Sequence, residues 1–148
     1  MDGGHNRSTI ESFFGAGSDI KHATKFELHT DEPAILLGED QGANAGEYLL
    51  HALAACITTS IVYHAAARGI AIEALESSVE GDIDLRGFLG LDNTVRKGFQ
   101  QIRVGFKIKA DVSDDQLQEL CALGQQYSAV LDSITSGVPV SVSAERLV

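Results

Sequence analysis

Cys56 and Cys121 are the side chains here best suited to covalent chemistry, because a thiolate is both a nucleophile and a redox centre. Cys56 lies among small residues in Leu53-Ala54-Ala55-Cys56-Ile57-Thr58-Thr59. A free cysteine in such a run reads either as core packing or as a nucleophile, and the run alone leaves both open. Cys121 shares an amphipathic stripe with Leu117, Leu120 and Gly124, which is a packing position. Two cysteines need histidines to make a metal site. His51 and His64 stand five and eight residues from Cys56, not at the i, i+4 spacing that turns two ligands onto one ion, so no metal is expected. His5, His22 and His29 lie in polar surroundings and read as solvated. Neither a Gly-rich phosphate loop nor a Gly-x-Ser-x-Gly elbow occurs, and the arginines are too scattered for an anion clamp. No bound cofactor is expected.

These side chains must be positioned by elements that the sequence marks clearly. Asn44-Ala45-Gly46-Glu47 has the form of a capping box and predicts a helix from there to Arg68, with Gly69 as its left-handed terminator. At about 100° per residue, Leu50, Ala54, Ile61 and Ala65 fall on one side and Leu49, Ala52, Cys56, Tyr63 and Ala67 on the other. A helix apolar nearly all round is expected to be buried nearly all round. Alternation predicts strands at 23–29, at 77–86 (Val79, Ile83 and Leu85 facing one way) and at 101–110. The last two are expected to pair, joined through the apolar Gly87-Phe88-Leu89-Gly90-Leu91, which would cover a pocket, a partner or its own sheet. A second capping box, Ser113 to Gln116, opens a helix with Cys121 on its apolar stripe, a third helix covers 128–135, and Val138, Val140, Val142 and Ala144 predict a last strand. The fold class is α+β, in a single domain over residues 1–148.

The chain has 148 residues and a net charge of −10. That length supports a sizeable core without staples, and the charge repels phosphate backbones and anionic lipid, so neither nucleic-acid nor membrane binding is expected. No uninterrupted apolar run reaches the roughly 18 residues of a membrane span. The first residues show no export or organelle signal, so a cytoplasmic setting is expected. A chain of this size has little second layer to cover a helix apolar on every side, which points to a homodimer.

Asp31-Glu32-Pro33, Leu37-Gly38-Glu39-Asp40-Gln41-Gly42, Asn44 to Leu50 and Ala52-Leu53-Ala54-Ala55-Cys56 together resemble, in order and spacing, the signature of the OsmC/Ohr family. Tyr127-Ser128-Ala129-Val130 and Gly137-Val138-Pro139-Val140 are similar to that family's second motif. The resemblance covers roughly residues 20–145. It implies an OsmC-like α+β fold, an antiparallel curved sheet wrapped around a long central helix in an intertwined homodimer, and a thiol peroxidase that reduces organic hydroperoxides. Carried onto this sequence, it puts Cys56 at the peroxidatic position and Glu47 at the active-site glutamate.

Two departures stand against that pattern. Ser128 occupies the position of the resolving cysteine, and a hydroxyl cannot close a disulfide. No arginine lies between Ile20 and Leu37 to serve as the activating cation, so Cys56 is expected to be sluggish. Nine residues of helix also put Glu47 and Cys56 on opposite faces, so a shared site would have to straddle a dimer interface, and the capping box alone explains Glu47 equally well. The expected function is a one-cysteine hydroperoxide reductase recycled by an external thiol. The alternative is a catalytically degenerate dimer that binds a small apolar ligand.

Overall fold

A computed structural model describes residues 4–146. By contacts the chain forms two compact units, one up to Leu49 and one from Leu50 onward.

The first unit is built on an antiparallel hairpin of β1 (Asn6–Gly15) and β2 (Ser18–Thr30). β2 contains the predicted strand, whereas β1 carries no simple alternation and was not foreseen. The two are joined by Ala16 and Gly17, whose φ of 49° and 80° supply the left-handed pair that a tight hairpin turn requires. After β2 the chain wraps around the carboxylate of Asp31, which is only 3% exposed and accepts the N–H groups of Glu32, Glu39 and Gln41 at 2.8, 3.0 and 3.2 Å. Gly38 is required in that wrap, because a Cβ there would stand 1.8 Å from the Glu32 carbonyl oxygen. Gln41 N–H acts most strongly on Asp31. It outweighs the upward push of burial and, with Glu32 and Glu39, holds the carboxyl below its ordinary value. The Asp31 to Gly42 part of the sequence signature is therefore a folding device.

α1 (Ala45–Ala67) opens with the predicted capping box: Asn44 N–H donates to Glu47 Oε2 at 2.8 Å, and Glu47 N–H donates to Asn44 Oδ1 at 3.0 Å. It ends before Gly69, at φ 70°. In the second unit, α1 supplies the core. Leu53, Ile57, Ile61 and Ala65 are buried against Leu120 of α2 (Asp114–Gln126) and the inner faces of β3 (Ile72–Asp82) and β4 (Gln101–Ala110). Gly124 lies so close to Ile61 that a Cβ would stand 2.4 Å from its Cγ1, which lets α2 and α1 approach. β3 and β4 are antiparallel with Val79 opposite Val104, and β4 alternates inward and outward at every residue, as the sequence predicts. Their outward faces carry ion pairs, Arg103 with Asp82 and Lys109 with Glu73, both at 2.5 Å.

Several expectations are corrected. The helix is not buried all round within one chain: Leu49, Val62 and Tyr63 are 40%, 40% and 70% exposed, because β3, β4 and α2 cover one face only. An 18-residue window of α1 also reaches a mean hydropathy of 1.5, enough for a membrane span by composition, although polar His51, Thr58, Thr59 and Ser60 interrupt the apolar run. The strand expected to reach Arg86 stops at Asp82. Asp84 then caps a single helical turn at Leu85–Phe88, its carboxylate accepting the Arg86 N–H, so a local side-chain bond replaces the ladder. Gly87 in that turn is buried, while Phe88, Leu89 and Leu91 are half or more exposed. The strand expected over Val138 to Ala144 is not formed: residues 137–146 pair with no edge among the described residues, and Val138, Val140 and Val142 are 58%, 78% and 92% exposed.

Candidate active site

The third predicted helix is α3 (Ala129–Ser136), and Ser128 is its N-cap. The Ser128 hydroxyl accepts the Leu131 N–H at 3.2 Å, and the residue is only 2% exposed. Val130 and Leu131 pack onto the core that α1 organises, which brings the first turn of α3 up to the middle of α1. Cys56, half-buried, meets it there.

At that meeting point the Cys56 sulfur has a defined polar environment. Burial by itself pushes the thiol up. The Ser128 hydroxyl and the Val130 and Ala129 N–H groups together outweigh burial and bring the thiol below its ordinary value. These N–H groups belong to the first turn, where a helix has unpaired donors and a positive dipole end, and both favour a thiolate. Cys121 is the contrast. It packs against the core of the second unit, receives no such donors, and burial pushes its thiol up.

Cys56 opens onto a cleft of about 440 Å³ lined by Ala55, Cys56, Thr59, Ser60, Tyr63, His64, Tyr127 and Ala129. The α1 contributors follow Cys56 at three, four, seven and eight residues, which is one helical stripe. His64 and Tyr127 form a wall, their ring centroids 4.7 Å apart and tilted by 38°. Arg68 approaches His64 from the next turn, donating to its carbonyl at 3.2 Å.

The sequence brought Cys56 and Ser128 into view, and the fold brings them together. It does not bring Glu47 to Cys56 within α1: nine residues are about 13 Å of rise, and the Glu47 carboxylate is engaged in the cap. The donors at Ala129 and Val130 were missed, and with them a route to a thiolate that needs no arginine. Their signal was present, since Ser128 before a helical stretch is an N-cap pattern. The sequence places Tyr63 on the side of Cys56, and His64, weighed there only as a metal ligand, continues the same stripe along the cleft. Among the described residues, no group of three or more His, Cys, Asp and Glu side chains converges as a metal site.

A family model for OsmC-like proteins matches residues 38–143. The chain finds no significant match among curated protein sequences. Solved structures of similar fold include an OsmC-like protein from Mycoplasma pneumoniae, with a TM-score of 0.66, 19% identity and coverage of 97% of this chain and 96% of that one. An organic hydroperoxide resistance protein OsmC from Legionella pneumophila aligns with a TM-score of 0.56, 18% identity and coverage of 89% and 90%. The organic hydroperoxide resistance protein OhrB of Bacillus subtilis aligns with a TM-score of 0.51, 18% identity and coverage of 88% and 90%. At these identities the likeness is one of fold, which agrees with the antiparallel strands and the long helix described above. With the family model spanning most of its length, the chain belongs to the OsmC-like protein family.

Proposed function

We propose that this protein is a one-cysteine hydroperoxide reductase serving peroxide defence, with Cys56 as its nucleophile. The observation that carries the reading is Cys56 lining an open cleft with Ala129 of the first turn of α3, its thiol held below the ordinary value. Two of the similar structures are organic hydroperoxide resistance proteins by name.

In the reaction, the thiolate attacks the terminal oxygen of R–O–OH. An S–O bond forms as the O–O bond breaks, the alkoxide leaves and takes a proton from water, and Cys56 is oxidised to a sulfenic acid while the peroxide is reduced to an alcohol. Ser128 cannot resolve that acid. A small external thiol therefore displaces water to give a mixed disulfide, and a second thiol attacks the external sulfur, freeing the Cys56 thiol as the two external thiols leave joined as a disulfide. The cytoplasm supplies such thiols. A homodimer would cover the exposed face of α1, and we place any contribution of Glu47 at that interface, since within one chain it lies on another face of the helix. The partners in this reading are a small hydroperoxide, a thiol and a second copy of the chain, with no metal or resident cofactor.

One observation favours a second reading. The cleft lining contains neither a second cysteine nor an arginine, which suits a degenerate dimer that holds a small apolar ligand without turnover. Peroxide consumption driven by dithiothreitol or a lipoyl thiol separates the two. Turnover in the wild type and in Cys121→Ser, lost in Cys56→Ser, supports the reductase. No turnover in the wild type, with Cys56 inert to a thiol label, overturns it.

A further inference from the structure

Ser60 stands one turn after Cys56 on α1, about 40° round the helix axis, a spacing that leaves about 5–6 Å between the two Cβ atoms. Both residues line the cleft. A serine or threonine inside a helix ordinarily turns its hydroxyl out to water or returns it to the carbonyl four residues back. Thr59, Ser133 and Thr135 take the second course, donating to the Ala55, Ala129 and Leu131 carbonyls at 3.0, 2.8 and 2.9 Å. Ser60 takes neither. It is only 9% exposed, and its hydroxyl has no hydrogen-bond partner among the described residues. No side-chain oxygen or nitrogen among the described residues is both fully enclosed and unpartnered, so the Ser60 oxygen is one that the cleft reaches. Side chains on a helix lean toward its N-terminus, which tilts this hydroxyl toward the turn that carries Cys56. Thr59, the other hydroxyl within a turn of Cys56 that lines the cleft, is already committed to Ala55.

We propose that Ser60 is a catalytic residue of the hydroperoxide reaction: its buried hydroxyl donates to the inner oxygen of R–O–OH while the Cys56 sulfur takes the terminal one. The inference rests on the proposed reductase chemistry and adds the group that meets the departing oxygen. As the S–O bond forms and the O–O bond breaks, the electron pair of the O–O bond passes to the inner oxygen, which becomes RO⁻. An alkoxide is a strongly basic leaving group, and a donor already fixed beside it stabilises the charge as it develops. The serine keeps its own proton, and RO⁻ takes one from water and leaves as the alcohol. The hydroxyl has no partner in the protein to give up, so donating to substrate breaks no bond within the fold.

The test is single-turnover oxidation of Cys56 in wild type and Ser60→Ala, without a recycling thiol, by two oxidants that differ in leaving group. tert-Butyl hydroperoxide releases a basic alkoxide, and peracetic acid releases a weakly basic carboxylate. Sulfenic acid at Cys56 is trapped with dimedone and assigned by peptide mass spectrometry. Loss of one donor to a developing oxyanion costs about 100-fold, so Ser60→Ala should slow the reaction with tert-butyl hydroperoxide by about that factor. Peracetic acid, whose leaving group needs less help, should slow by under about tenfold. Iodoacetamide, which has no O–O bond, should alkylate Cys56 at the same rate in both proteins. Alanine is the stronger helix former and the change deletes no hydrogen bond within the fold, so the thermal midpoint should hold or rise. A Ser60→Ala protein slowed toward neither oxidant, or slowed equally toward both oxidants and iodoacetamide, overturns the proposal and leaves Cys56 as the nucleophile. A wild type that tert-butyl hydroperoxide does not oxidise at Cys56 overturns the reductase reading and the proposal with it, so the two failures are distinct.

Discussion

The imidazole of His64 and the phenol ring of Tyr127 meet 4.7 Å apart and form one wall of the cleft that Cys56 faces. They come from different helices, His64 from the last turns of α1 and Tyr127 from the end of α2, so the wall exists only when the second unit is folded. Tyr127 is 57% exposed and contributes little to the core. Under the reductase reading, Tyr127→Ala should therefore raise KM for a bulky hydroperoxide several-fold with a smaller change in kcat. Steady-state kinetics checks this, and an unchanged KM would remove Tyr127 from substrate binding.

The two cysteines should separate in their pH response. A thiol held below its ordinary value carries more thiolate at any given pH and keeps its reactivity further down in pH, whereas one pushed up by burial gains reactivity only above the usual range, about 8.5. Competitive alkylation across pH 5 to 10 should label Cys56 first and Cys121 last. Equal labelling at pH 7 would show that the donors of α3 do not act on the sulfur.

Ser128→Cys puts a thiol at the N-cap of α3, next to Ala129, which lines the cleft together with Cys56. A disulfide forms where the two Cα atoms stand within about 7 Å. Treatment with one equivalent of hydroperoxide should then consume both the Cys56 thiol and the new one, giving an intramolecular disulfide, while the wild type forms a dithiothreitol-sensitive sulfenic acid at Cys56 alone. Thiol titration and mass spectrometry distinguish the products.

Asp31 ties the loop of the first unit through three N–H groups, and its carboxyl is held below the ordinary value. A depressed folded value means that the contribution is fully present above the unfolded value, about 3.9, and is lost as pH falls through the folded one. Asp31→Asn should lower the urea midpoint at pH 7 and flatten its decline in acid. Parallel pH curves for wild type and variant would contradict the assignment.

The legible parts of the fold were those governed by local rules. The capping boxes at Asn44 and Ser113, the terminator at Gly69 and the alternation of β4 each depend on a few adjacent residues. What escaped depended on contacts distant in sequence or on their absence. β1 pairs with β2 without a clean period of its own, Asp84 diverts the chain from the strand that alternation would extend, and the valines after Gly137 have the period of a strand but no partner. In the site, Cys56 and Ser128 were visible as residue types. That the intervening 71 residues fold so as to point α3 at the sulfur was not, because that geometry follows from Val130 and Leu131 packing on the core.

The bare valines at 138, 140 and 142 have a consequence for how the molecule behaves in bulk. A period-two apolar segment outside any sheet is an adhesive end, complementary to any open sheet border it meets. Concentration then becomes a variable of the native state: a second molecule that offers an open sheet border would cover these valines, and dilution would bare them again.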